Sequence, residues 1–492
     1  MKQAYNPFLP LLECIPDGEP HVFGDRVYLF GSHEEEGGSA FCTLGYEFYS
    51  APLNDLKSWT SKGVNYRAEQ DPSFGKNKYL YAPDVVRGID GRYYLYYAMS
   101  GGSFTGPIHV AVCDTPDGRY EYYGEVKNPD GTPFMRKITF DPAVLNDGGT
   151  IRLYYGWSLA VNKNFERDAA AYGFPTDFYE VQAMLFGKTA EEIRHEPDGI
   201  MGGFTVELAA DMLTVKTQPR LVVPGPFSSE GTSFEGHAFF EASSIRKIGN
   251  RYYFIYSSEH QHELCYATSA YPDRGFTYGG VILSNGDVGY HGRRAEDRIL
   301  ATGNNHGSME NIGGEWYIFY HRQTHKTSFS RKACAERIRI AEDGSIPQVE
   351  MTSCGLNGGP LAAEGEYPAV ICCELTNGHM PHLDPQTIPE DIPHITSEGN
   401  LPFAADISAG TRIGFKYFSF RGRVRLTLTV RGGEGAFEVL VGGERLARIT
   451  TPASGEWTQG SCEFSAEGER SLTLLREGEI CSLRALQFCT PS

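Results

Sequence analysis

The sequence predicts an all-β protein, a five-bladed β-propeller followed by a β-sandwich domain. Two observations predict the propeller: an aromatic-rich strand that occurs five times, and a polar residue that precedes each copy at a nearly constant distance. Most intervals between copies are close to 60 residues, which accommodates four strands of about 5–6 residues with their turns. Equivalent strands that carry polar residues in register are typical of a radially repeated fold.

The repeated strand begins at a turn, usually with glycine, and usually ends in a small residue. Aromatic strands separated by glycine turns are typical of turn-rich β proteins. We therefore expect each copy to be one strand of one blade. The copies are residues 24–32, 91–98, 149–156, 249–257 and 314–321.

One interval, between the third and fourth copies, is much longer than the others, and the excess lies in residues 159–202. This stretch is polar and has a helix-favouring composition at 169–171 and 190–193. We interpret it as an insertion within or between blades. Long loops in compact domains are often functional. The alternative is that the insertion is a surface loop without a function.

Polar residues lie ten to twelve positions before one central residue of each copy (Tyr28, Tyr94, Leu153, Tyr253 and Tyr317), and they are Asp17, Asp84, Asp141, Glu241 and His306. Carboxylates that converge on one place cannot all be ionised comfortably, because repulsion and burial raise the pKa of at least one. A carboxylic acid that keeps its proton beside a carboxylate base is what hydrolysis of a glycosidic bond requires. A single such residue would more simply cap a turn, but five in register indicate a shared site.

The charge and the apolar pattern exclude several classes of protein. A net charge of −18 over 492 residues disfavours nucleic acid and anionic membranes as partners, so we expect a neutral carbohydrate substrate. No run of about 18 apolar residues occurs, as a membrane span would require. The N-terminus lacks the pattern of a signal peptide, and 11 scattered cysteines suggest free thiols. We therefore expect a cytoplasmic location, while the oligomeric state stays open.

We assign the propeller to residues 1–347, a linker or wrapping segment to 348–401 and the β-sandwich to 402–492. The linker is rich in Pro and Gly and lacks periodicity, whereas short alternating strands return beyond residue 402. The C-terminal domain is either a structural support or an accessory module that binds carbohydrate. Trp457 or Tyr417 would then be the stacking platform.

Residues 5–345 resemble glycoside hydrolase family 43, the inverting enzymes with a five-bladed propeller. The resemblance rests on several motifs in combination: Asn6-Pro7 ahead of Asp17, YAPDVV at 81–86, FDPAV at 140–144, FFEAS at 239–243 and GNNHGS at 303–308. It implies that Asp17 is the general base, Glu241 the general acid and Asp141 the residue that tunes the pKa of the acid.

The resemblance also implies further residues near the substrate: Asp84 close to the axis, Arg331 in contact with substrate, and His306 beneath the site. The enzyme would need no cofactor, although an axial calcium ion held through water at His306 is a possibility that the resemblance raises. Two more residues are expected at the pocket from their positions. Glu19 lies on the same side of a regular strand as Asp17 and rivals it as the base, and His33 ends the first repeated strand.

A second metal hypothesis concerns His260 and His262, but their spacing suggests no third ligand. The function that the resemblance implies is an inverting exo-glycosidase that removes terminal α-L-arabinofuranosyl residues from plant-type oligosaccharides. A β-D-xylosidase or galactofuranosidase of the same fold is the nearest alternative, and a non-catalytic sugar-binding propeller is another. A retaining fructan-cleaving enzyme is disfavoured because its Asn-Asp-Pro-Asn-Gly motif is missing, and Arg322, Arg331 and Lys332 leave a phosphorylase open.

Overall fold

Five small antiparallel sheets follow one another along the first two thirds of the chain. They are seen in a computed structural model that describes residues 3–76, 78–100, 106–159 and 177–491. Each sheet is a blade in which neighbouring strands are also neighbours in sequence. Four strands form each of blades 1 to 4, and three described strands form blade 5.

Blade 1 contains β1 (Glu19–Phe23), β2 (Arg26–Phe30), β3 (Tyr49–Pro52) and β4 (Thr60–Ser61). Blade 2 contains β6 (Asp84–Arg87), β7 (Tyr93–Tyr97), β9 (His109–Cys113) and β10 (Glu121–Glu125), and β5 (Tyr79–Leu80) pairs with β8 (Met99–Ser100) beside it. Blade 3 contains β11 (Ala143–Asp147), β12 (Thr150–Trp157), β13 (Gly202–Leu208) and β14 (Arg220–Pro224). Blade 4 contains β15 (Phe239–Ile248), β16 (Arg251–Ser258), β17 (Leu264–Ser269) and β18 (Thr277–Leu283). Blade 5 contains β19 (Met309–Ile312), β20 (Glu315–Arg322) and β21 (Lys332–Ile338).

The five repeated strands are the second strand of each blade, namely β2, β7, β12, β16 and β20. They are almost wholly buried because a blade packs against a neighbour on each face. Five hydrophobic clusters lie between blades 1 and 2, 2 and 3, 3 and 4, 4 and 5, and 5 and 1. This closed ring of cores confirms the predicted five-bladed propeller.

The predicted polar residues all lie at the start of the first strand of their blade. Glu241 is the third residue of β15 and Asp84 the first of β6, whereas Asp17, Asp141 and His306 lie just before β1, β11 and β19. First strands of neighbouring blades contact each other, as β6 and β11, β11 and β15, and β1 and β19 do. The chain therefore carries all five residues toward the axis of the ring.

The N-terminal segment closes the ring by lying along β21 of blade 5. The side chain of Asn6 is fully buried and bridges strands that are distant in sequence. Its Nδ2 donates to Ala335 O at 2.9 Å and contacts Glu336 Oε1 at 2.9 Å, and its Oδ1 accepts from Ala335 N at 3.0 Å. The backbone N–H of Phe8 donates to Ala333 O at 3.2 Å. The Asn6-Pro7 motif therefore stabilises the seam between the two ends of the propeller.

In the described part of the long interval in blade 3, two helices lie between β12 and β13, α1 (Phe178–Phe186) and α2 (Ala190–His195). Helix α1 begins at Asp177, whose side chain accepts from Tyr179 N, and α2 begins with a capping box between Thr189 and Glu192. The helices pack on a cluster that includes Trp157. The helical composition at 190–193 thus corresponds to a helix, whereas residues 169–171 lie outside the described residues.

The C-terminal part is the expected β-sandwich, and its strands form one hydrogen-bonded sheet around a single core. Its strands are β25 (His394–Glu398), β26 (Leu401–Ile407), β27 (Arg412–Gly432), β28 (Gly435–Val441), β29 (Glu444–Thr451), β30 (Ser454–Gly478) and β31 (Cys481–Cys489). Residues 348–401, which the sequence assigns to a linker, also contribute to this sheet through β22 (Leu361–Ala362), β23 (Gly365–Pro368), β24 (Glu374–Thr376) and β25. No helix in the described ranges is long and apolar enough to cross a membrane.

Both aromatic side chains that the sequence offers as sugar platforms are engaged by the protein. The guanidinium groups of Arg431 and Arg484 lie 4.6 and 5.5 Å from the centre of the Trp457 ring. The hydroxyl of Tyr417 donates to Glu350 Oε1 at 2.5 Å. Carbohydrate binding by this domain stays a prediction.

Replacing Asn6 by Ala should lower the midpoint of thermal unfolding. The change leaves buried polar groups of β21 without their partner, and each such group costs about 1–3 kcal/mol. The control is Asn250→Ala, at an exposed position in the turn between β15 and β16. Equal midpoints for the two variants, measured by calorimetry, would contradict the role of Asn6 in ring closure.

Candidate active site

Three carboxyl groups share one end of the propeller axis, those of Asp17, Asp141 and Glu241. Their charges act on one another, and Asp141 Oδ2 accepts a hydrogen bond at 2.9 Å from the N–H of Ala242. The backbone has a left-handed φ at Asp17 (58°), Asp141 (44°) and Ala242 (68°). Such angles are costly for residues other than glycine and cluster at functional sites.

Asp17 is buried and paired with Arg331. Their Oδ1 and Nη1 atoms lie 2.8 Å apart, and Oδ2 and Nη2 lie 3.3 Å apart. Burial has the largest effect and by itself would raise the pKa of Asp17. The positive charge of Arg331 and smaller effects of neighbouring groups together more than offset it, so the pKa lies below its ordinary value. Asp17 is therefore ionised at neutral pH.

Arg331 is fixed by a second carboxylate and an aromatic ring. Glu34 Oε1 accepts from its Nη2 at 2.6 Å, and the side chain of Glu34 is fully buried. The guanidinium also lies 4.9 Å from the centre of the Phe41 ring. Sequence reasoning missed Glu34, although the acidic run that follows the first repeated strand was a signal for it.

Glu241 retains partial exposure and accepts a hydrogen bond from Trp157 Nε1 at 3.2 Å. Burial, and then the negative charge of Asp17, raise the pKa of Glu241 to about 7. The carboxyl group therefore holds its proton through much of the neutral range. Sequence reasoning also missed Trp157, which directly follows the third copy of the repeated strand.

Asp141 is buried and feels the charges of the other two carboxyl groups. Burial, followed by the charge of Glu241 and then that of Asp17, raises its pKa well above the ordinary value. Two neighbouring carboxyl groups with raised pKa values titrate as a pair. Asp141 and Glu241 therefore compete for a proton beside an ionised Asp17.

Two buried histidines next to these carboxyl groups are neutral. Burial lowers the pKa of His306 to about 4 and that of His321 to about 3. His321 Nδ1 accepts from the N–H of Asp17 at 3.2 Å, and its Nε2 donates to Asn304 O at 2.9 Å, which fixes the tautomer. His306 Nδ1 lies 3.7 Å from Asp141 Oδ2. His321 was not predicted, although it ends the fifth repeated strand.

Asp84 and Glu19 are engaged with other protein groups. Asp84 Oδ1 lies 2.7 Å from His21 Nε2, and its Oδ2 accepts from the N–H of Val144 at 2.6 Å, so it braces blades 2 and 3. Glu19 Oε1 lies 2.6 Å from Arg246 Nη1. Both carboxylates are almost completely buried. Asp17 differs from Glu19 in that its charge acts on both Asp141 and Glu241.

His33 lies at the edge of this region. Its Nδ1 is 3.0 Å from Gly45 O and its Nε2 is 3.3 Å from Glu13 Oε2. The side chain is largely buried. The structure thus brings together Asp17, Asp141, Glu241, His306 and Arg331, and places Glu19, His33 and Asp84 in their own networks.

Among the described residues, neither cluster of potential metal ligands from His, Cys, Asp and Glu side chains consists of oxygen donors alone. Within the described ranges, three potential ligands approach one another at Glu19, His21 and Asp84, and at His237, Glu263 and Cys265. His306 belongs to neither group, and neither do His260 and His262. Ca²⁺ takes six to eight oxygen ligands, whereas each group includes a nitrogen or sulfur donor.

A five-bladed propeller that gathers an ionised Asp, a protonated acid and a third carboxyl group in one strained, buried site defines a glycoside hydrolase. The chain belongs to glycosyl hydrolase family 43. The model of that family, Glycosyl hydrolases family 43, matches residues 6–175. A xylosidase/arabinosidase of Thermoclostridium stercorarium is 43% identical over 508 residues, which covers 99% of this chain and 99% of that protein.

Solved structures resemble both parts of the fold. An arabinoxylan arabinofuranohydrolase of the same family from Bacillus subtilis covers 99% of this chain and 97% of its own, with a TM-score of 0.50 and 20% identity. CoXyl43, a β-xylosidase/α-arabinofuranosidase from a compost microbial metagenome, was solved with xylotriose in a calcium-free form. It covers 71% of this chain and 98% of its own, with a TM-score of 0.52 and 22% identity.

Replacing Glu241 by Gln should stabilise the protein at pH 8 and have little effect at pH 5. The folded-state pKa of Glu241, about 7, lies above the ordinary value of 4.5, so the folded state binds this proton more tightly than the unfolded chain. The stability that this tighter proton binding contributes is lost as the pH rises through 7. Above pH 7 the buried carboxylate of Glu241 is negatively charged, and the Glu241→Gln variant removes this destabilising charge.

The measurement is the midpoint of thermal unfolding at both pH values. The control, Glu366→Gln, alters an exposed carboxylate in β23. A Glu241→Gln midpoint that rises equally at both pH values, or only at pH 5, would show that the protonation states have been assigned wrongly.

Proposed function

We propose that this hydrolase is an inverting exo-glycosidase in which Asp17 is the general base, Glu241 the general acid and Asp141 the residue that tunes the acid. The observation that carries the proposal is the opposite state of two carboxyl groups in one site. Arg331 keeps Asp17 ionised, whereas burial and the charge of Asp17 keep Glu241 protonated near neutral pH. An inverting enzyme needs this combination.

In the proposed reaction, Glu241 donates its proton to the glycosidic oxygen as the bond to the anomeric carbon breaks. Asp17 accepts a proton from a water molecule that attacks the opposite face of the sugar. Trp157 orients the acid through its hydrogen bond. Asp141 is electrostatically coupled to the acid, since the charge of Glu241 raises the pKa of Asp141, and this coupling is how Asp141 would tune the acid. Inversion requires room for the water, and we expect the two carboxyl groups to lie about 6.5–9.5 Å apart.

We propose terminal α-L-arabinofuranosyl residues of plant-type oligosaccharides as the substrate, with β-D-xylosyl residues as the nearest alternative and galactofuranosyl residues after them. The names of the relatives, xylosidase/arabinosidase and arabinoxylan arabinofuranohydrolase, support a pentose glycone. The residues at the site supply the acid–base chemistry themselves, so we propose that no cofactor takes part. The 11 cysteines are free thiols, which supports action on imported oligosaccharides in a reducing cytoplasm.

The activity test uses nitrophenyl α-L-arabinofuranoside, β-D-xyloside and β-D-galactofuranoside, and an oligosaccharide with the same terminal sugar, each with and without EDTA. The wild type should hydrolyse one glycone best and be insensitive to EDTA. Asp17→Asn should lose about 10²–10⁴-fold in kcat on all substrates of that glycone. Glu241→Gln should lose more on the oligosaccharide than on the nitrophenyl glycoside, because nitrophenolate leaves without protonation.

Asp25→Asn and Glu366→Gln, at exposed positions, serve as matched controls. Proton NMR of the first product formed should show inverted anomeric configuration. Retained configuration would contradict the mechanism. No turnover of any substrate, together with unchanged sugar binding by Asp17→Asn, would favour the non-catalytic propeller.

Replacing Arg331 by Met should shift the acidic limb of the kcat/KM profile to higher pH. The limb reports the pKa of the base, and without the Arg331 charge the burial of Asp17 raises that pKa. The basic limb, set near pH 7 by Glu241, should move less. An unchanged acidic limb in Arg331→Met, compared with the control Arg339→Met at an exposed position, would rule out Asp17 as the base.

A further inference from the structure

Four aromatic side chains lead in a row from Glu241 to the segment that joins the propeller to the sandwich. Trp157 donates to Glu241, and its ring lies 5.6 Å from that of Phe240. Phe240 stacks on His262 at 4.7 Å, and His262 meets His382 edge to face at 5.0 Å. These four residues, called the ring row here, are all partly exposed.

The two histidines of the ring row behave as uncharged aromatic rings. Burial lowers the pKa of His262 to about 3 and that of His382 to about 4. His262 Nδ1 is buried and has no hydrogen-bond partner among the described residues, a cost that native proteins usually avoid. Ligand sites combine apolar and aromatic walls with a few polar atoms, and a row of uncharged, partly exposed rings fits an uncharged sugar chain.

The position of the row identifies the part of the substrate that it faces. A general acid lies beside the glycosidic oxygen that it protonates, so the leaving sugars depart on the side of the acid. The row begins at the proposed acid Glu241, whereas Arg331 and Phe41 lie on the side of the proposed base Asp17. The leaving-group side of the site is therefore the side that carries the rings.

His382 is tied firmly to the propeller although it lies beyond the fifth blade in sequence. The N–H of Leu383 donates to Thr302 O at 2.7 Å, and the N–H of Thr302 donates to Pro381 O at 3.1 Å. Thr302 Oγ1 lies 3.0 Å from His382 Nδ1. Thr302 directly precedes the motif at residues 303–308 that carries His306. The tether holds His382 at the rim of the site, against blade 4 on one side and the motif of blade 5 on the other.

We propose that the ring row binds the leaving-group sugars of an oligosaccharide, and that His382 is a specificity-determining residue supplied from outside the propeller. The inference rests on the proposed function, because it uses Glu241 as the acid. His262 and His382 are the members farthest from Glu241. They contact the more distant sugars of the leaving group, whereas a nitrophenyl group reaches only Trp157 and Phe240.

The test compares kcat/KM for a nitrophenyl glycoside of the preferred glycone with that for a tetrasaccharide ending in the same sugar. His382→Ala and His262→Ala should each lower kcat/KM for the tetrasaccharide about 2- to 10-fold, mostly through KM, as expected for loss of one aromatic contact. The value for the nitrophenyl glycoside should stay within about 2-fold. His382→Phe, which keeps a ring, should retain most of the tetrasaccharide activity.

The matched control is His379→Ala, an exposed histidine of the same segment. Equal losses on both substrates, or a tetrasaccharide value equal to that of the control, would overturn the assignment. If the wild type cleaves neither substrate, the proposed function fails. Calorimetric measurement of tetrasaccharide binding then tests separately whether the ring row binds a sugar chain. Equal affinity for the wild type and for His382→Ala would then overturn it, and weaker binding by the variant would support it.

Discussion

The site depends first on the buried ion pairs of Arg331. This one guanidinium lies between Asp17, at the entrance to blade 1, and Glu34, beyond the second strand of that blade, while its own backbone belongs to blade 5. A buried cation between two carboxylates is stable only as a complete set, because removal of one partner leaves an uncompensated charge. The pairing thus joins the first and last blades at the axis and determines the charge of Asp17 at the same time.

The charge of Asp17 in turn acts on the other two carboxyl groups. Because Arg331 keeps Asp17 negative, Glu241 and Asp141 experience a fixed negative neighbour in addition to burial, and both hold protons more tightly. Trp157 opposes this effect at Glu241 through its hydrogen bond. Helix α1 supports that tryptophan, since Phe186 packs against it at 5.8 Å. The insertion in blade 3 therefore contributes to the environment of Glu241.

The sequence was sufficient to predict the features that repeat. The five aromatic strands and the register of Asp17, Asp84, Asp141, Glu241 and His306 identified the blades and the residues that face the axis. It could not reveal partners that the fold alone brings together. Glu34, Trp157 and His321 do not share the register, and the pairing of Glu19 with Arg246 joins different blades. Short β-strands within residues 361–376 were read as a linker because two to four residues show no periodicity.

The closure of the ring also has a consequence for the order of assembly. Asp17 and Arg331 are separated by 314 positions in the chain, and Asn6 meets its partners in β21 across a similar distance. During synthesis Asp17 leaves the ribosome long before Arg331, so its counter-charge arrives only with the last blade. Contacts of such long sequence separation form slowly because the loop entropy must be lost first. The ion pair at the axis is therefore a late event in the life of the nascent polypeptide, formed only when the first and last blades meet.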